Sequence, residues 1–263
     1  MTVLPVLSLG LAIYFEDEHP EPIKTVLKVF ALGTLSIPIT LLLKFIVSLF
    51  FDIESTPFRQ AFFSAGVIEE FSKWLIFMLF VWRRKEFDEP FDAIVYTGII
   101  ALAFACIENF MYVFSNSVEV AYLRAIFAVP GHFFDGVTMG YFLAKARFHQ
   151  HAKWRNFILS LLFPILLHGC YDYILMLGNQ LSQEFNEHIY IIFLILFLWF
   201  DYKLWGIAVK FLGRLKIDNN IYHQEQVLNE FDATHTIDNE LGDDDNDYYN
   251  DIKNESPHNT PNQ

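Results

Sequence analysis

Long apolar blocks separated by short charged clusters constrain this sequence more than any other feature. The hydrocarbon core of a bilayer is about 30 Å thick, and a helix crosses it with about 20 residues. Because that core offers no water to the backbone, such blocks fold as helices. With 54% hydrophobic residues and a mean hydropathy of +0.30, the sequence predicts an all-α, polytopic transmembrane helical bundle with about seven spans.

Seven blocks of this kind follow one another along the chain. They are Val3–Phe15, Val26–Phe51, Ala61–Trp82, Ala93–Ser115, Tyr122–Ala144, Phe157–Leu177 and Ile189–Val209. The first block is short, so it either spans the bilayer at a tilt or lies partly in the interface. The other six blocks keep their orientation in both cases.

The basic residues predict the orientation of the bundle. Thirteen of the eighteen Lys and Arg residues fall on one side if the helices alternate, and two, Arg59 and Arg124, fall on the other. Cytoplasmic loops carry the excess of Lys and Arg. We therefore expect a multi-pass protein of the plasma membrane with its N-terminus outside and its C-terminus in the cytoplasm.

The acidic charge belongs to the end of the chain. Of the net charge of −13, the segment from Asp218 to Gln263 carries −11, from 12 Asp and Glu residues against Lys253. Such a stretch has too few apolar residues to bury, which favours disorder. The sequence predicts a transmembrane domain over 1–216 and a disordered acidic cytoplasmic tail over 217–263. It has no basic surface of the kind that binds nucleic acid, so the lipid bilayer is the expected partner.

Polar and charged residues interrupt four successive blocks. They are Glu69, Glu70, Lys73, Glu108, Asn109, His132, Asp135, His168 and Asp172. A charged group at the centre of a membrane helix costs about 2.5–3.5 kcal/mol, so the five acids and Lys73, which are normally charged, cannot remain without partners. Pairing, hydration or protonation must lower this cost, and the sequence therefore predicts a polar cavity between helices.

The depths of these residues strengthen that prediction. At 1.5 Å per residue, Glu69 lies about 12 Å from the outer end of its block, Glu108 about 10 Å, His132 about 15 Å and His168 about 14 Å. Four helices of alternating direction thus bring polar groups to one level near the midplane. We expect Lys73 to balance a neighbouring glutamate structurally, and we leave Asp135 out of the site.

Four short motifs resemble those of the PrsW family of intramembrane proteases, which is related to the CAAX-protease and bacteriocin-processing superfamily. The pattern E-E-x-x-K begins at Glu69, F-x-x-x-E-N at Phe104, H-x-x-x-G at His132 and H-x-x-x-D at His168. They occur in order, one per helix, between residues 61 and 177. The resemblance implies an endopeptidase that cleaves a membrane-anchored protein, and a membrane-bound anti-sigma factor is the best-known family substrate.

Two mechanisms fit the polar residues. In one, His132, His168 and Glu108 hold Zn²⁺, with Glu69 or Glu70 as the general base on the attacking water. In the other, a glutamate activates water without a metal, and a histidine with Asn109 stabilises the oxyanion. Asp172 follows His168 by four residues and can orient it. The predicted catalytic residues are Glu69, Glu70, Glu108, Asn109, His132, His168 and Asp172.

Other classes of membrane protein remain open. Buried carboxylates and histidines also form the proton relay of a coupled transporter. A non-catalytic membrane scaffold is a further alternative, although the retained Glu69 and Glu70 argue against it. Tyr171 and Asp172 resemble one motif of aspartyl intramembrane proteases, but the G-x-G-D motif that accompanies it there is absent from the sequence.

Overall fold

The structure is a computed structural model that describes residues 3–115, 118–149 and 152–254, and the described chain is helical throughout, without a strand. The helices are α1 (Val3–Glu16), α2 (Ile23–Gly33), α3 (Ser36–Ser48), α4 (Pro57–Arg59), α5 (Ile68–Phe80), α6 (Asp92–Ser115), α7 (Val118–Leu123), α8 (Val129–Phe148), α9 (Lys153–Glu184) and α10 (His188–Asn254). Two π-helical segments, Gln60–Val67 and Arg124–Ala128, lie directly before α5 and α8.

Four described helices are long and apolar enough to cross a membrane by length and composition. They are Ile23–Ser48, which comprises α2 and α3, and Asp92–Phe114, Lys153–Glu184 and His188–Asn229, which belong to α6, α9 and α10. Helix α1 is apolar but has only 14 residues. Helices α5 and α8 are each preceded by a π-helical segment, and α5 carries three charged residues in its first half. The α-helical membrane bundle is confirmed, whereas the count of seven spans stays a prediction.

Helix α6 forms the core of the bundle and packs against α8. Cβ atoms added at Gly136 and Gly140 would lie 2.8 Å from the Thr97 carbonyl oxygen and 2.6 Å from the Ala93 carbonyl oxygen. Only glycine allows backbones to approach so closely, as in small-xxx-small packing of membrane helices. The close contact at this G-x-x-x-G pattern fixes α8 against α6 near His132.

The first π-helical segment packs tightly against α9. A Cβ atom at Gly66 would lie 2.9 Å from the carbonyl oxygen of Ile165. Pro164 lies inside α9, where it removes one backbone hydrogen bond one turn before His168. Single-turn π-helical insertions are frequent at functional sites. The two segments here end two residues before Glu69 and four residues before His132.

Helix α10 continues past residue 217 to Asn254, and disorder of the acidic tail stays a prediction. No proline occurs between His188 and Asn254, so nothing in the sequence blocks the helical hydrogen-bond ladder there. Two compact units divide the chain, Met1–Asp218 and Asn219–Gln263.

Candidate active site

A buried polar cavity of about 210 Å³ lies among the helices that carry the four motifs. The predicted site residues that line it are Glu69, Glu108, His132, His168 and Asp172. They come from α5, α6, α8 and α9, so residues up to about a hundred positions apart in the sequence share one cavity. The volume suffices for several water molecules. This is the shared polar cavity that the depths of the residues predict.

Glu70 lies behind the cavity and is fully buried. Its Oε1 accepts hydrogen bonds from Lys73 Nζ and from His168 Nδ1, each at 2.6 Å. The pair with Lys73 lies within one turn of α5, as the E-E-x-x-K spacing allows. The expectation that Lys73 balances a neighbouring glutamate agrees with this contact, and the glutamate is Glu70.

His132 lies between a cation and a carboxylate. Lys73 Nζ is 2.9 Å from His132 Nδ1, and Glu108 Oε2 is 2.8 Å from His132 Nε2. An ammonium group only donates, so Nδ1 accepts and Nε2 carries the proton that it donates to Glu108. Glu108 also accepts from Arg124 at 2.6 Å. A chain of hydrogen bonds therefore runs from Glu70 through Lys73 and His132 to Glu108 and Arg124.

His168 presents its other nitrogen to the cavity. Since Nδ1 donates to Glu70, Nε2 is directed toward Asp172 Oδ2 at 3.5 Å and Glu69 Oε2 at 3.8 Å. Asp135 Oδ2 lies 3.4 Å from Nδ1 on the Glu70 side. The two imidazole rings meet edge to face with centroids 5.0 Å apart. Both histidines thus line one wall of the same cavity.

Glu69 differs from Glu70 in its surroundings. Its Oε1 accepts a hydrogen bond from Lys44 Nζ at 2.9 Å, whereas its Oε2 is buried without a hydrogen-bond partner among the described residues. Leaving a buried carboxylate oxygen unsatisfied costs free energy. An oxygen of this kind at a cavity wall is suited to bind a water molecule or a cation.

Three residues reach the site although the sequence analysis did not include them. Asp135 lies three residues after His132, on the same helical face, and this spacing was the missed signal. Lys44 lies about 10 Å from the outer end of its block, at the level of the motif residues. Arg124 is expected on the outer side of the membrane, and its side chain donates to Glu108 in the cavity.

Two groups of side chains have the donor atoms of a metal site. The first is Glu70, His132, Asp135 and His168, and the second is Glu69, Glu108 and His132. In each group one nitrogen or oxygen per residue lies within 4.8 Å of the others. Imidazole nitrogens with carboxylate oxygens are the donors of catalytic zinc sites, and the free oxygens of Glu69 and Glu70 are consistent with a bound cation.

The predicted ligands His132, His168 and Glu108 do not appear together in one group, because His132 joins His168 in the first and Glu108 in the second. Lys73 Nζ contacts two residues of the first group, Glu70 and His132. A metal bound there would compete with this ammonium. Asn109 is buried but is not among the described residues that line the cavity.

Comparison with known proteins agrees with the motifs. A family model described as PrsW family intramembrane metalloprotease matches residues 21–200. The chain is 40% identical over 173 residues to Protease PrsW of Oceanobacillus iheyensis, which covers 66% of this chain and 80% of that protein. It is 36% identical over 201 residues to Protease PrsW of Bacillus subtilis, which covers 75% and 88%. No solved structure matches the chain significantly.

The matched region contains all four motifs and every residue that lines the cavity except Leu204. A match of this extent, to proteins that carry the same name, defines the class of this enzyme. We conclude that the chain belongs to the PrsW family of intramembrane metalloproteases.

Proposed function

We propose that this protein hydrolyses a peptide bond of a membrane-anchored protein inside the bilayer, with Glu69 as the general base. One observation carries the proposal: a buried carboxylate oxygen of Glu69 has no hydrogen-bond partner among the described residues and belongs to a side chain that lines the cavity. A general base must reach the water that it activates. Glu70, the other candidate, is fully buried and does not line that cavity.

Glu70 has a positioning role in this proposal. Its carboxylate accepts from His168 Nδ1 and from Lys73, which keeps Nε2 of His168 directed toward the cavity. Carboxylates that bond the far nitrogen of a functional histidine fix its tautomer and ring orientation. Asp172, at 3.5 Å from Nε2, holds the same ring from the cavity side.

His132 stabilises the negative charge that develops during hydrolysis, and Glu108 holds the imidazole N–H in place beforehand. His132 Nε2 holds a proton that it donates to Glu108. When a substrate carbonyl enters, this N–H can turn from Glu108 to the oxyanion, as donors in oxyanion holes do. Asn109 follows Glu108 on α6, and we propose that its amide assists in stabilising this charge, either through Glu108 or through the substrate backbone.

The metal of this metallopeptidase is proposed to be Zn²⁺, held by His132 and His168 with a carboxylate. Glu108 is the carboxylate expected from the sequence, and Glu70 and Asp135 are those that share a donor group with both histidines. When bound, zinc supplies a Lewis acid that polarises the scissile carbonyl and lowers the pKa of water. Lys73 must then give up its contact with His132.

The proposed orientation has the N-terminus outside and the C-terminus in the cytoplasm of a plasma-membrane protein. The asymmetry of Lys and Arg between the two sides supports it. Residues 1–216 form the protease domain, and the acidic tail over 217–263 is cytoplasmic and dispensable for cleavage. A chain that ends at Lys216 should therefore retain cleavage, and a reporter fused there should be cytoplasmic.

The proposed substrate is a protein with a single membrane anchor, and a membrane-bound anti-sigma factor is the specific candidate that the family suggests. The test compares cells that produce the wild-type protein with cells that produce Glu69→Gln, by mass spectrometry of new N-termini in the membrane fraction. Termini near the end of a membrane anchor should be present in the wild type and absent in the variant. Identical sets of termini would refute the proposal, and the fragment identifies the substrate.

A further inference from the structure

A second cluster of buried acids lies far from the catalytic residues, at the other end of α6. Asp92 begins α6, sixteen residues before Glu108, which corresponds to about 24 Å along the helix. The loop after α1 contributes Asp17, and the loop before α6 contributes Glu89. One carboxylate oxygen from each of the three residues lies within 4.8 Å of the other two.

Two of these carboxylates, Asp17 and Asp92, are buried without a lysine or arginine ion pair in the described part of the chain. Asp17, Glu89 and Asp92 are 6%, 4% and 0% exposed. Glu89 Oε2 lies 3.6 Å from Nδ1 of His19. Buried charges require a counter-charge or a proton, because their desolvation is costly.

Two oxygens of the cluster retain unused lone pairs. Asp92 Oδ2 accepts from the backbone N–H groups of Asp88 and Glu89 at 3.1 Å, but Asp92 Oδ1 is buried with no hydrogen-bond partner among the described residues. Asp17 Oδ1 accepts from the His19 N–H at 3.0 Å, and Asp17 Oδ2 likewise has no partner. Such orphaned acceptors in a native structure require an explanation, and an ion is one of the standard ones.

We propose that Asp17, Glu89 and Asp92 bind a hard divalent cation, Mg²⁺ or Ca²⁺, at a site separate from the catalytic centre. Both ions prefer carboxylate and carbonyl oxygens, whereas zinc sites usually include histidine or cysteine. Oxygens within 4.8 Å of one another are close enough to share one ion with ligand distances of about 2.4 Å. Glu21 and Asp88 form an overlapping group with Asp92 and supply further oxygens near the ion.

The ion would join three segments that are separate in the sequence. Asp17 belongs to the connection between α1 and α2, Glu89 to the connection between α5 and α6, and Asp92 to α6 itself. Binding would therefore hold both connections against the start of α6. Since α6 carries Glu108 at its other end, this site stabilises the helix that supplies part of the active site without contacting the substrate.

A shared proton is the competing way to neutralise the cluster. Burial raises the pKa of Asp17 to about 6, the backbone N–H of His19 opposes this rise, and the Glu89 carboxylate adds to it. Burial also raises the pKa of Glu21 to about 6. Binding of a cation and binding of protons have opposite effects on the stability of the protein near neutral pH. Only the cation should stabilise the protein when the acids are ionised.

The test uses the full-length protein in detergent, stripped with EDTA and titrated at pH 7.5 with CaCl₂ or MgCl₂. The melting temperature should rise with one or both ions, and the ion with the larger rise at equal concentration is the preferred ligand. With Asp17→Asn, the ion concentration that gives the same rise should be at least tenfold higher. This substitution leaves intact the hydrogen bonds that Asp92 accepts from the backbone N–H groups of Asp88 and Glu89. Glu18→Gln, an exposed acid in the same loop, is the matched control and should respond as the wild type.

Terbium luminescence gives a second readout that does not depend on stability. Tyr96 lies one turn after Asp92 and can sensitise the luminescence of Tb³⁺ bound at the cluster. Added Ca²⁺ should displace Tb³⁺ and lower this luminescence in the wild type and in Glu18→Gln. The proposal is overturned if neither ion changes the melting temperature or the Tb³⁺ signal, or if Asp17→Asn responds as the wild type. Stabilisation by acid alone, with no response to either ion, would assign the cluster to protons.

Discussion

Lys73 donates to Nδ1 of His132 across 2.9 Å, although 59 positions separate the two residues. The same ammonium is 2.6 Å from Glu70 Oε1, so one buried cation connects two motifs of the family. This arrangement assigns the proton of His132 to Nε2, on the side of Glu108 and the cavity. It also occupies part of the donor group that otherwise suits a metal.

Replacing Lys73 by Met should destabilise the protein strongly, because Glu70 would then be left buried with an uncompensated charge. Removing one partner of a buried ion pair costs about 3–5 kcal/mol. Unfolding in detergent measures this free energy. Lys44→Met is the matched control, since Lys44 also pairs with a glutamate but its side chain is 31% exposed. Its effect should be clearly smaller, and equal losses in the two variants would contradict the account.

Glu69→Gln and Glu70→Gln should separate a base from a positioning residue. Glu70→Gln removes the carboxylate that orients His168, so zinc affinity should fall about 10–100-fold together with cleavage. Glu69→Gln should abolish cleavage while zinc content, measured by inductively coupled plasma mass spectrometry, stays near that of the wild type. The reverse pattern would exchange the two roles, and absence of zinc from the wild-type protein would favour the metal-free scheme.

Gly140→Ala should destabilise the contact between α6 and α8. The added Cβ would lie 2.6 Å from the carbonyl oxygen of Ala93, and a backbone atom cannot move aside as a flexible side chain can. Overpacking of this kind typically costs about 1–3 kcal/mol. Gly206→Ala is the control, because nothing lies within 4 Å of its added Cβ, and alanine should slightly stabilise that helix. Similar melting temperatures of the two variants would contradict this packing.

The stability of the ion-free protein should decrease as the pH rises between about 4 and about 6. Burial raises the pKa of Asp17 from 3.8 to about 6, so the folded state binds this proton more tightly than the unfolded chain. The unfolding free energy therefore declines over that interval. The groups that face Asp17 are His19, Glu21, Glu89 and Asp92. Melting curves in EDTA measure the slope, and Asp17→Asn should flatten it, whereas an unchanged slope would contradict the assignment.

The sequence predicted the helical membrane bundle and the common depth of the motif residues, because both follow from the length of apolar blocks and the rise of a helix. The sequence could not predict in detail which face of each helix lies toward the cavity. The π-helical segments before α5 and before α8 change the phase of the helices there, and nothing in the hydropathy pattern marks them. Asp135 is a different case, because its spacing of three residues from His132 already places it on the same helical face, beside His168.

The sequence also could not predict which basic residues pair with Glu69 and Glu108. Lys44 and Arg124 pair with Glu69 and Glu108 through tertiary contacts over 25 and 16 positions. Local spacing predicted the pair of Lys73 with a glutamate within one turn, and it left open whether Glu69 or Glu70 was the partner. Only the folded arrangement separates the two glutamates, one held by Lys73 and His168 and the other left with a free oxygen at the cavity.

The most direct test of the central claim is the cleavage rate of purified protein in liposomes that contain a single-span substrate found by N-terminal mass spectrometry. If Glu69 activates the water, Glu69→Gln should lower the rate by about 10²–10⁴-fold with an unchanged melting temperature. Glu184→Gln, an exposed acid at the end of α9, should cleave at the wild-type rate. A Glu69→Gln protein that cleaves within about threefold of the wild type would contradict the account.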